Sequence, residues 1–232
     1  MSYTVFSAKT EIIGEMHGIV TVPDDYDKKT ERLPVIVFLH GAGERGDPEK
    51  ELEKVRVHGI PKYFCENSVH MGVRAITVSP QCPEGITWQR LVFPLMTYIK
   101  AAVKEYNGDE DRISITGLSM GGYGTWNMIT AFPHYFSCAA PICGGGTPWE
   151  TRSADLKDFK IWAFHGIDDP AVFVRCSLDM VEAARTAGAD VTFTTFDHVG
   201  HGSWVNAYEE TELIPWLAKQ KKIRNSEFGI RN

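Results

Sequence analysis

One short stretch places a serine between a strand and a helix, and it constrains the fold more than any other part of the chain. An apolar run rich in β-branched residues begins at Ile113 and continues into Gly117-Leu-Ser-Met-Gly121, and a helix-like pattern follows from Tyr123 to Phe132. Glycines two positions on either side of a serine allow a sharp turn that leaves the hydroxyl exposed. The stretch therefore predicts a strand, a tight turn carrying Ser119, and a helix. Serines also occur by chance in glycine-rich turns of α/β proteins, so Ser119 needs independent support.

Apolar runs and helical patterns alternate along the rest of the chain. Seven further strands are predicted, over residues 3–9, 12–22, 33–40, 73–79, 138–143, 160–165 and 191–196. Further helices are predicted over residues 48–64, 91–106, 172–187 and 203–222. Continuous apolar runs are typical of strands buried on both faces of a parallel sheet, whereas the first two strands alternate loosely and favour an antiparallel pair. The pattern predicts an α/β fold with a mostly parallel eight-stranded sheet flanked by helices.

Length and composition limit the class of protein. A chain of 232 residues with 43% hydrophobic content suits one large domain, which we expect over residues 1–222 with a flexible tail at 223–232. A formal net charge of −6 argues against nucleic acid as a partner. No apolar run approaches the roughly 18 residues of a membrane span, so no membrane association is expected. Both a monomer and a homodimer remain open.

Cysteine spacing and the N-terminus bear on the compartment. The five cysteines show no C-x-x-C spacing and make an odd number, which favours reduced thiols. No basic segment followed by an apolar one is visible at the N-terminus. We therefore expect a cytoplasmic protein, with a trimmed domain of a secreted protein as the alternative.

Two further loops supply the partners that a serine nucleophile needs. A base must take the hydroxyl proton, and a third group must orient that base. The loop after the seventh strand offers Asp168 and Asp169, and the loop after the eighth strand offers His198 and His201. In sheets that carry this serine turn, the order along the chain is nucleophile, acid, histidine. Because this order does not depend on the glycine spacing, it supports Ser119 independently.

With these motifs the chain resembles the α/β-hydrolases. Among them it is similar to the carboxylesterase and predicted-peptidase group, a phospholipase–carboxylesterase-like family that carries an LHGAGERG loop. The resemblance covers roughly Val22 to Trp204, and its first and third segments are the most specific. The matching segments are Phe38-Leu-His-Gly-Ala-Gly-Glu-Arg-Gly46, Pro80-Gln-Cys-Pro83, Gly117-Leu-Ser-Met-Gly121, His165-Gly-Ile-Asp-Asp169 and Gly200-His-Gly-Ser-Trp204.

The resemblance implies one acid and one base. In the motif His-Gly-x-x-Asp-x-x-Val the carboxylate lies four residues after the histidine, which is Asp169, with Asp168 as the competitor. The Gly-His-Gly-Ser-Trp segment favours His201 over His198. Together with Ser119 these residues make the predicted catalytic triad.

Two backbone N–H groups are expected to bind the oxyanion that forms during acyl transfer. One is that of Met120, immediately after the nucleophile at a helix N-terminus. The other is that of Ala42, by resemblance to acyl-thioesterase relatives of the fold. His40 and His165 stand at strand ends, where we expect them to fix the following loops by hydrogen bonds. The remaining histidines lack metal-like spacing, so no metal or cofactor is expected. They are His17, His58, His70 and His134.

The space available for a lid narrows the class of hydrolase. Residues 144–159 are too few for a helical cap, which argues against interfacially activated lipases, dehalogenases and epoxide hydrolases. The last two also use a carboxylate nucleophile, and dienelactone hydrolases use a cysteine, where this chain has Ser119. We expect an open cleft for a small-molecule ester. Its predicted borders are Gln81, Trp88, Trp149, Phe173 and Trp204.

These features predict a serine carboxylesterase that hydrolyses short-chain acyl esters, such as acetyl, aryl or sugar esters, through an acyl-enzyme intermediate. A serine peptidase of the same fold is the near alternative, because both reactions share a tetrahedral intermediate. A non-catalytic binding protein on a hydrolase scaffold is an alternative of another class. The filled triad positions argue against it.

Overall fold

A computed structural model describes residues 2–66 and 72–222, and eight strands in this part form one sheet. The eight strands predicted from the sequence are confirmed, with ends that differ by a few residues. They are β1 (Ser2–Thr10), β2 (Gly14–Val22), β3 (Val35–Leu39), β4 (Ile76–Pro80), β5 (Ile113–Leu118), β6 (Cys138–Ile142), β7 (Lys160–Gly166) and β8 (Asp190–Phe196).

The sheet is mostly parallel, as predicted. Its strand order is β1-β2-β4-β3-β5-β6-β7-β8. Strand β2 pairs antiparallel with both β1 and β4, and each pairing from β4 to β8 is parallel. The order reverses around β3, so the loops after β3 and β5 lie side by side at the carboxyl edge of the sheet. Crevices at such a reversal are where open α/β sheets bind their ligands.

Helices cover both faces of the sheet. Those described are α1 (Pro48–Glu51), α2 (Gly59–Glu66), α3 (Val92–Glu105), α4 (Met120–Ala131), α5 (Pro148–Arg152), α6 (Val174–Thr186), α7 (Trp204–Glu209) and α8 (Leu213–Lys219). Short 3-10 turns at residues 42–44, 52–56 and 88–90 accompany them.

The side chains of β3 show why both faces must be covered. Because successive strand residues point to opposite faces, Val35, Val37 and Leu39 pack into one core with α3, α4 and α6. Ile36 and Phe38 pack into a second core with α2 and α8. An apolar run without alternation thus feeds two cores at once, which confirms the predicted α/β layering.

The predicted helix over residues 48–64 is wrong in its continuity. The chain forms α1, a 3-10 turn and then α2, which begins at Gly59 with a φ of +63°. A Cβ at this glycine would clash with the ring of Phe38. The close packing on β3 and the left-handed backbone both require glycine here, and a regular helix does not pass through such a residue.

The predicted helix over residues 203–222 is also divided, into α7 and α8. Pro215 has no N–H to donate to the carbonyl of residue 211, so a continuous helix would lose a hydrogen bond there. In the structure Pro215 occupies the first turn of α8, where no such donor is needed. The predicted tail, residues 223–232, and His70 lie outside the described residues.

The connection from β6 to β7 contains α5, a helix of five residues that the sequence reading missed. No larger insertion stands between these strands, in agreement with the predicted absence of a cap. Among residues 2–66 and 72–222, no helix is both long and apolar enough to cross a membrane.

Candidate active site

Ser119 stands on the tight turn between β5 and α4. Its φ of 53° and ψ of −116° are unusual for a residue with a side chain, and α4 begins at the next residue, Met120. The turn can be this tight because Gly117 and Gly121 carry no side chains that would clash with the backbone. A Cβ at Gly121 would clash with the backbone carbonyl oxygen of Leu39 on the neighbouring strand. The predicted strand–turn–helix arrangement is present, and it holds the Ser119 hydroxyl above the sheet.

The structure brings the three predicted triad residues together. Nε2 of His201 lies 2.8 Å from Oγ of Ser119, and Nδ1 of His201 lies 2.7 Å from Oδ2 of Asp169. The Asp169 carboxylate accepts a hydrogen bond from the Nδ1–H group, which fixes the tautomer in which Nε2 is free to accept the proton of the serine hydroxyl. The two competitors face solvent and pair with each other, because Nδ1 of His198 lies 3.7 Å from a carboxylate oxygen of Asp168.

Asp169 is held as a buried anion. Its Oδ1 accepts hydrogen bonds from the backbone N–H groups of Ala171 (2.9 Å) and Val172 (3.0 Å), and only 3% of the residue is exposed. Burial by itself acts to raise the pKa of this carboxyl. The hydrogen bonds from His201 and from the two amides outweigh burial and lower the pKa below its usual value. The site therefore keeps a carboxylate beside the imidazole at neutral pH.

A second histidine stands against the same carboxylate. Nε2 of His165 lies 3.2 Å from Oδ2 of Asp169 and 2.8 Å from the carbonyl oxygen of Val172, and its Nδ1 lies 2.7 Å from Oγ of Ser177. Burial lowers the pKa of His165, which favours the neutral ring. The expected structural role of His165, fixing the loop after its strand, is confirmed by these contacts.

The loop after β3 is fixed by His40 in a similar way. The fully buried ring donates from Nδ1 to the carbonyl of Gly41 (2.6 Å), and its Nε2 accepts the backbone N–H of Cys82 (2.9 Å). Burial lowers the pKa of His40 to about 4, so the ring is neutral at pH 7. This confirms the loop-fixing role expected for His40.

The two predicted oxyanion donors stand on the two neighbouring loops. Ala42 is the first residue of the 3-10 turn after β3, and Met120 is the first residue of α4. The first N–H groups of a helix have no acceptor within it and are available to an anion. Nε of Arg45 donates to the carbonyl of Ala42 at 2.9 Å and so helps to fix the turn that carries the Ala42 N–H group.

The predicted cleft residues fall into two groups. Trp204 packs edge-on against His201 with ring centroids 5.6 Å apart, and Trp149 and Phe173 are exposed. Trp88 does not border an open cleft, because it is fully buried and donates from Nε1 to the carbonyl of His40.

Gln81 is likewise buried, which corrects the expectation that it borders the cleft. Its Nε2 donates to the backbone carbonyls of Glu44 and Glu51, at 3.1 Å and 3.0 Å. Both Gln81 and Trp88 therefore support the loop after β3 from within.

Two polar residues near the cleft were missed from the sequence. Glu44 is part of the LHGAGERG motif, and nothing in its spacing indicates that its carboxylate is buried. His58 had no partner nearby in sequence, yet its ring packs against that of Trp204, with centroids 5.4 Å apart.

Cys143 lies beside the triad and was not assigned a role. One donor atom from each of Cys143, Asp169 and His201 lies within 4.8 Å of the others, and sulfur, oxygen and nitrogen are a donor set that zinc accepts. Burial raises the pKa of the Cys143 thiol to about 12, however, and the other two groups already bond to each other. The geometry thus supports a serine nucleophile served by His201, with Cys143 as a protonated neighbour.

Several solved structures of other proteins share this fold. A thermostable esterase of known crystal structure is 35% identical, with a TM-score of 0.78, and the match covers 95% of this chain but 63% of that one. A feruloyl esterase module from Clostridium thermocellum is 14% identical with a TM-score of 0.71, covering 96% of this chain and 89% of that one. An acylaminoacyl peptidase from Pyrococcus horikoshii is 16% identical with a TM-score of 0.65, covering 97% and 43%. No curated protein matches the chain.

The sheet order, the serine turn and the Ser119–His201–Asp169 contacts together define an α/β-hydrolase, as the sequence predicted. Residues 84–222, more than half of the chain, match the model of the dienelactone hydrolase family. The protein belongs to that family. This membership corrects the expectation that Ser119, in place of a cysteine, argues against dienelactone hydrolases.

Proposed function

We propose that this protein is a serine carboxylesterase that hydrolyses short-chain acyl esters through an acyl-enzyme intermediate. The observation that carries the proposal is the hydrogen-bonded series from Ser119 Oγ through His201 to Asp169, with distances of 2.8 and 2.7 Å. Family membership and the 35% identical esterase support it, although this chain spans only 63% of that protein. A complete triad gives no support to a non-catalytic binding protein.

The geometry implies a two-step reaction. Oγ of Ser119 attacks the ester carbonyl carbon while its proton passes to Nε2 of His201. The carbonyl oxygen becomes an oxyanion, which the N–H groups of Ala42 and Met120 stabilise. When the C–O bond to the alcohol breaks, His201 returns the proton to the leaving oxygen. Water then attacks the acyl-enzyme by the same route and releases the acid and the free Ser119 hydroxyl.

The proposal also covers the substrate, the compartment and the partners of the enzyme. A small-molecule ester as substrate follows from the esterase activity, and the short connection around α5 leaves the cleft uncapped. All five cysteines are free thiols, which supports a reducing compartment such as the cytoplasm. We further propose that residues 1–222 act as one domain, as a monomer or homodimer, without nucleic acid or membrane as a partner.

A substrate panel tests the reaction class. We expect hydrolysis of acetyl, butyryl and feruloyl esters, with the rate falling for octanoyl. Ser119→Ala should lower kcat/KM for p-nitrophenyl acetate by about 10⁴ or more. Ser153→Ala, which removes an exposed hydroxyl, is the matched control and should retain the wild-type rate.

Two results would contradict the proposal. Activity confined to peptide p-nitroanilides would make the protein a peptidase. A Ser119→Ala variant that keeps more than a tenth of the wild-type rate, with an unchanged circular dichroism spectrum, would remove Ser119 from the mechanism.

A further inference from the structure

Glu44 is a buried carboxylate that takes no part in the proposed reaction. It lies two residues after Ala42 on the loop that follows β3, and 8% of it is exposed. Its Oε2 is fully enclosed, and no group within residues 2–66 and 72–222 forms a hydrogen bond with it. A buried carboxylate that lacks a donor carries a substantial desolvation cost. The loop therefore holds an acceptor to which none of the described residues donates a hydrogen bond.

The two nearest nitrogen donors do not meet this need. Nδ1 of His40 lies 3.9 Å from Oε2, and it already donates to the carbonyl of Gly41. Nε2 of His58 lies 3.9 Å from Oε1, beyond hydrogen-bonding range, and its side chain is 38% exposed. A gap without a hydrogen bond thus separates the acceptor Oε1 of Glu44 from the ring nitrogen Nε2 of His58.

This gap is connected to the catalytic residues by direct contacts. Oε2 of Glu44 lies 3.1 Å from the place where a Cβ on Gly41 would stand, next to the proposed oxyanion donor. On the other side, the His58 ring packs on Trp204, and Trp204 packs edge-on against His201. Successive contacts therefore link Glu44, His58 and Trp204, from the oxyanion loop to the catalytic base.

A single hydroxyl group suits this pair of residues. A hydroxyl oxygen about 2.8 Å from each partner would donate its proton to Oε1 of Glu44 and accept one from Nε2 of His58. Because the two atoms are 3.9 Å apart, the bridging oxygen would stand to one side of the line that joins them, with an angle of about 90° at the oxygen. An ammonium group can only donate, so it would satisfy the carboxylate but not the imidazole N–H.

We propose that Glu44 and His58 form a subsite that binds a hydroxyl group in the alcohol half of the substrate, which makes polyol or sugar esters the preferred class. This inference rests on the proposed esterase function. An acetyl or butyryl group carries no hydroxyl, so with these acyl groups the hydroxyl belongs to the alcohol. The bound hydroxyl also gives the carboxylate a donor at Oε1, the oxygen nearest to His58, whereas the enclosed Oε2 has none among the described residues.

A matched pair of esters tests the subsite. Glycerol monoacetate carries two free hydroxyls, and propyl acetate has the same carbon skeleton without them. We expect the wild-type enzyme to have the higher kcat/KM on glycerol monoacetate, measured by pH-stat. Glu44→Leu should lower the ratio of the two kcat/KM values about tenfold, because a charge-assisted hydrogen bond is lost. Glu44→Gln, which keeps a neutral acceptor, should fall between.

Glu49→Gln is the control, because Glu49 is an exposed glutamate on α1, the helix that follows the loop. The ratio of the two kcat/KM values in this variant should equal that of the wild type. Equal losses on both esters in Glu44→Leu would mean that Glu44 only supports the loop, and an unchanged ratio would mean that it does not contact the alcohol. Either result would overturn the subsite. Thermal melts of each variant separate misfolding from these outcomes.

A wild-type enzyme inactive on every ester would contradict the proposed function instead. The subsite is then judged by binding of glycerol monoacetate to Ser119→Ala, observed by ligand NMR. Binding that weakens at least fivefold when Glu44→Leu is added supports the subsite, and binding that is unchanged or absent overturns it.

Discussion

At the scale of single residues, the structure separates neighbours that the sequence left as competitors. Asp168 and Asp169 share one loop, so position along the chain does not distinguish them, and the motif alone favoured Asp169. In the structure Asp169 is buried and accepts two backbone hydrogen bonds, while Asp168 faces solvent. The tryptophans show the same limit, because the sequence predicted that both Trp88 and Trp204 border the cleft. In the structure Trp88 is buried, whereas Trp204 packs against His201. Whether an indole enters the core or the cleft depends on long-range packing, which local pattern does not contain.

The acid can be tested directly. Asp169→Asn should lower kcat/KM for p-nitrophenyl acetate by about 10⁴, because an amide at this place no longer fixes the imidazole tautomer or stabilises the imidazolium. Asp168→Asn is the neighbouring control and should stay within about twofold of the wild type. Equal small losses in both variants, measured by steady-state kinetics, would assign the acid to neither residue.

At the scale of elements, strands were predicted more reliably than helices. The central strands β3 to β6 are short, largely apolar runs, and their burial on both faces is visible in their composition. The helix over residues 48–64 was predicted as continuous because Gly59 carries no local sign of its contact with Phe38. Pro215 itself indicates the division of the helix over residues 203–222, because proline is not tolerated in a helix interior. Helix α5, by contrast, is too short to show a periodic pattern.

The turn between β5 and α4 gives a prediction at this scale. Gly121→Ala should destabilise the protein by more than about 3 kcal/mol or prevent folding, because the added Cβ meets the carbonyl of Leu39 on the next strand. Gly43→Ala is the control, since a Cβ there meets nothing within 4 Å. Urea unfolding followed by circular dichroism compares the two. Similar midpoints would show that β3 and α4 can separate without cost.

At the scale of the whole molecule, burial of neutral histidine couples stability to pH. His40 is fully enclosed, with its pKa lowered by burial to about 4 from the usual 6.5. Above pH 6.5 the ring is neutral in both the folded and the unfolded chain. As the pH falls from 6.5 to 4, the unfolded chain binds a proton that the folded chain does not, so stability is lost in this window. The lowered pKa of His165 acts in the same direction.

The free energy of unfolding should therefore fall by about 3 kcal/mol between pH 6.5 and pH 4 on account of His40. His40→Gln should be less stable than the wild type at pH 7 but should show a shallower decline over the same range. Urea titrations at pH 7, 5.5 and 4.5 measure both. Parallel curves for the two proteins would show that His40 does not contribute to acid sensitivity.

The backbone of Ser119 has a further consequence, which concerns selection. Its φ of 53° and ψ of −116° mirror the extended region, a conformation that costs a residue with a side chain about 1–3 kcal/mol and that glycine adopts freely. Ser119→Gly should accordingly raise the melting temperature while abolishing hydrolysis. A gene released from the need for this activity would then drift towards a more stable, inactive protein. Ser119 thus keeps its hydroxyl in place at a cost in folding stability.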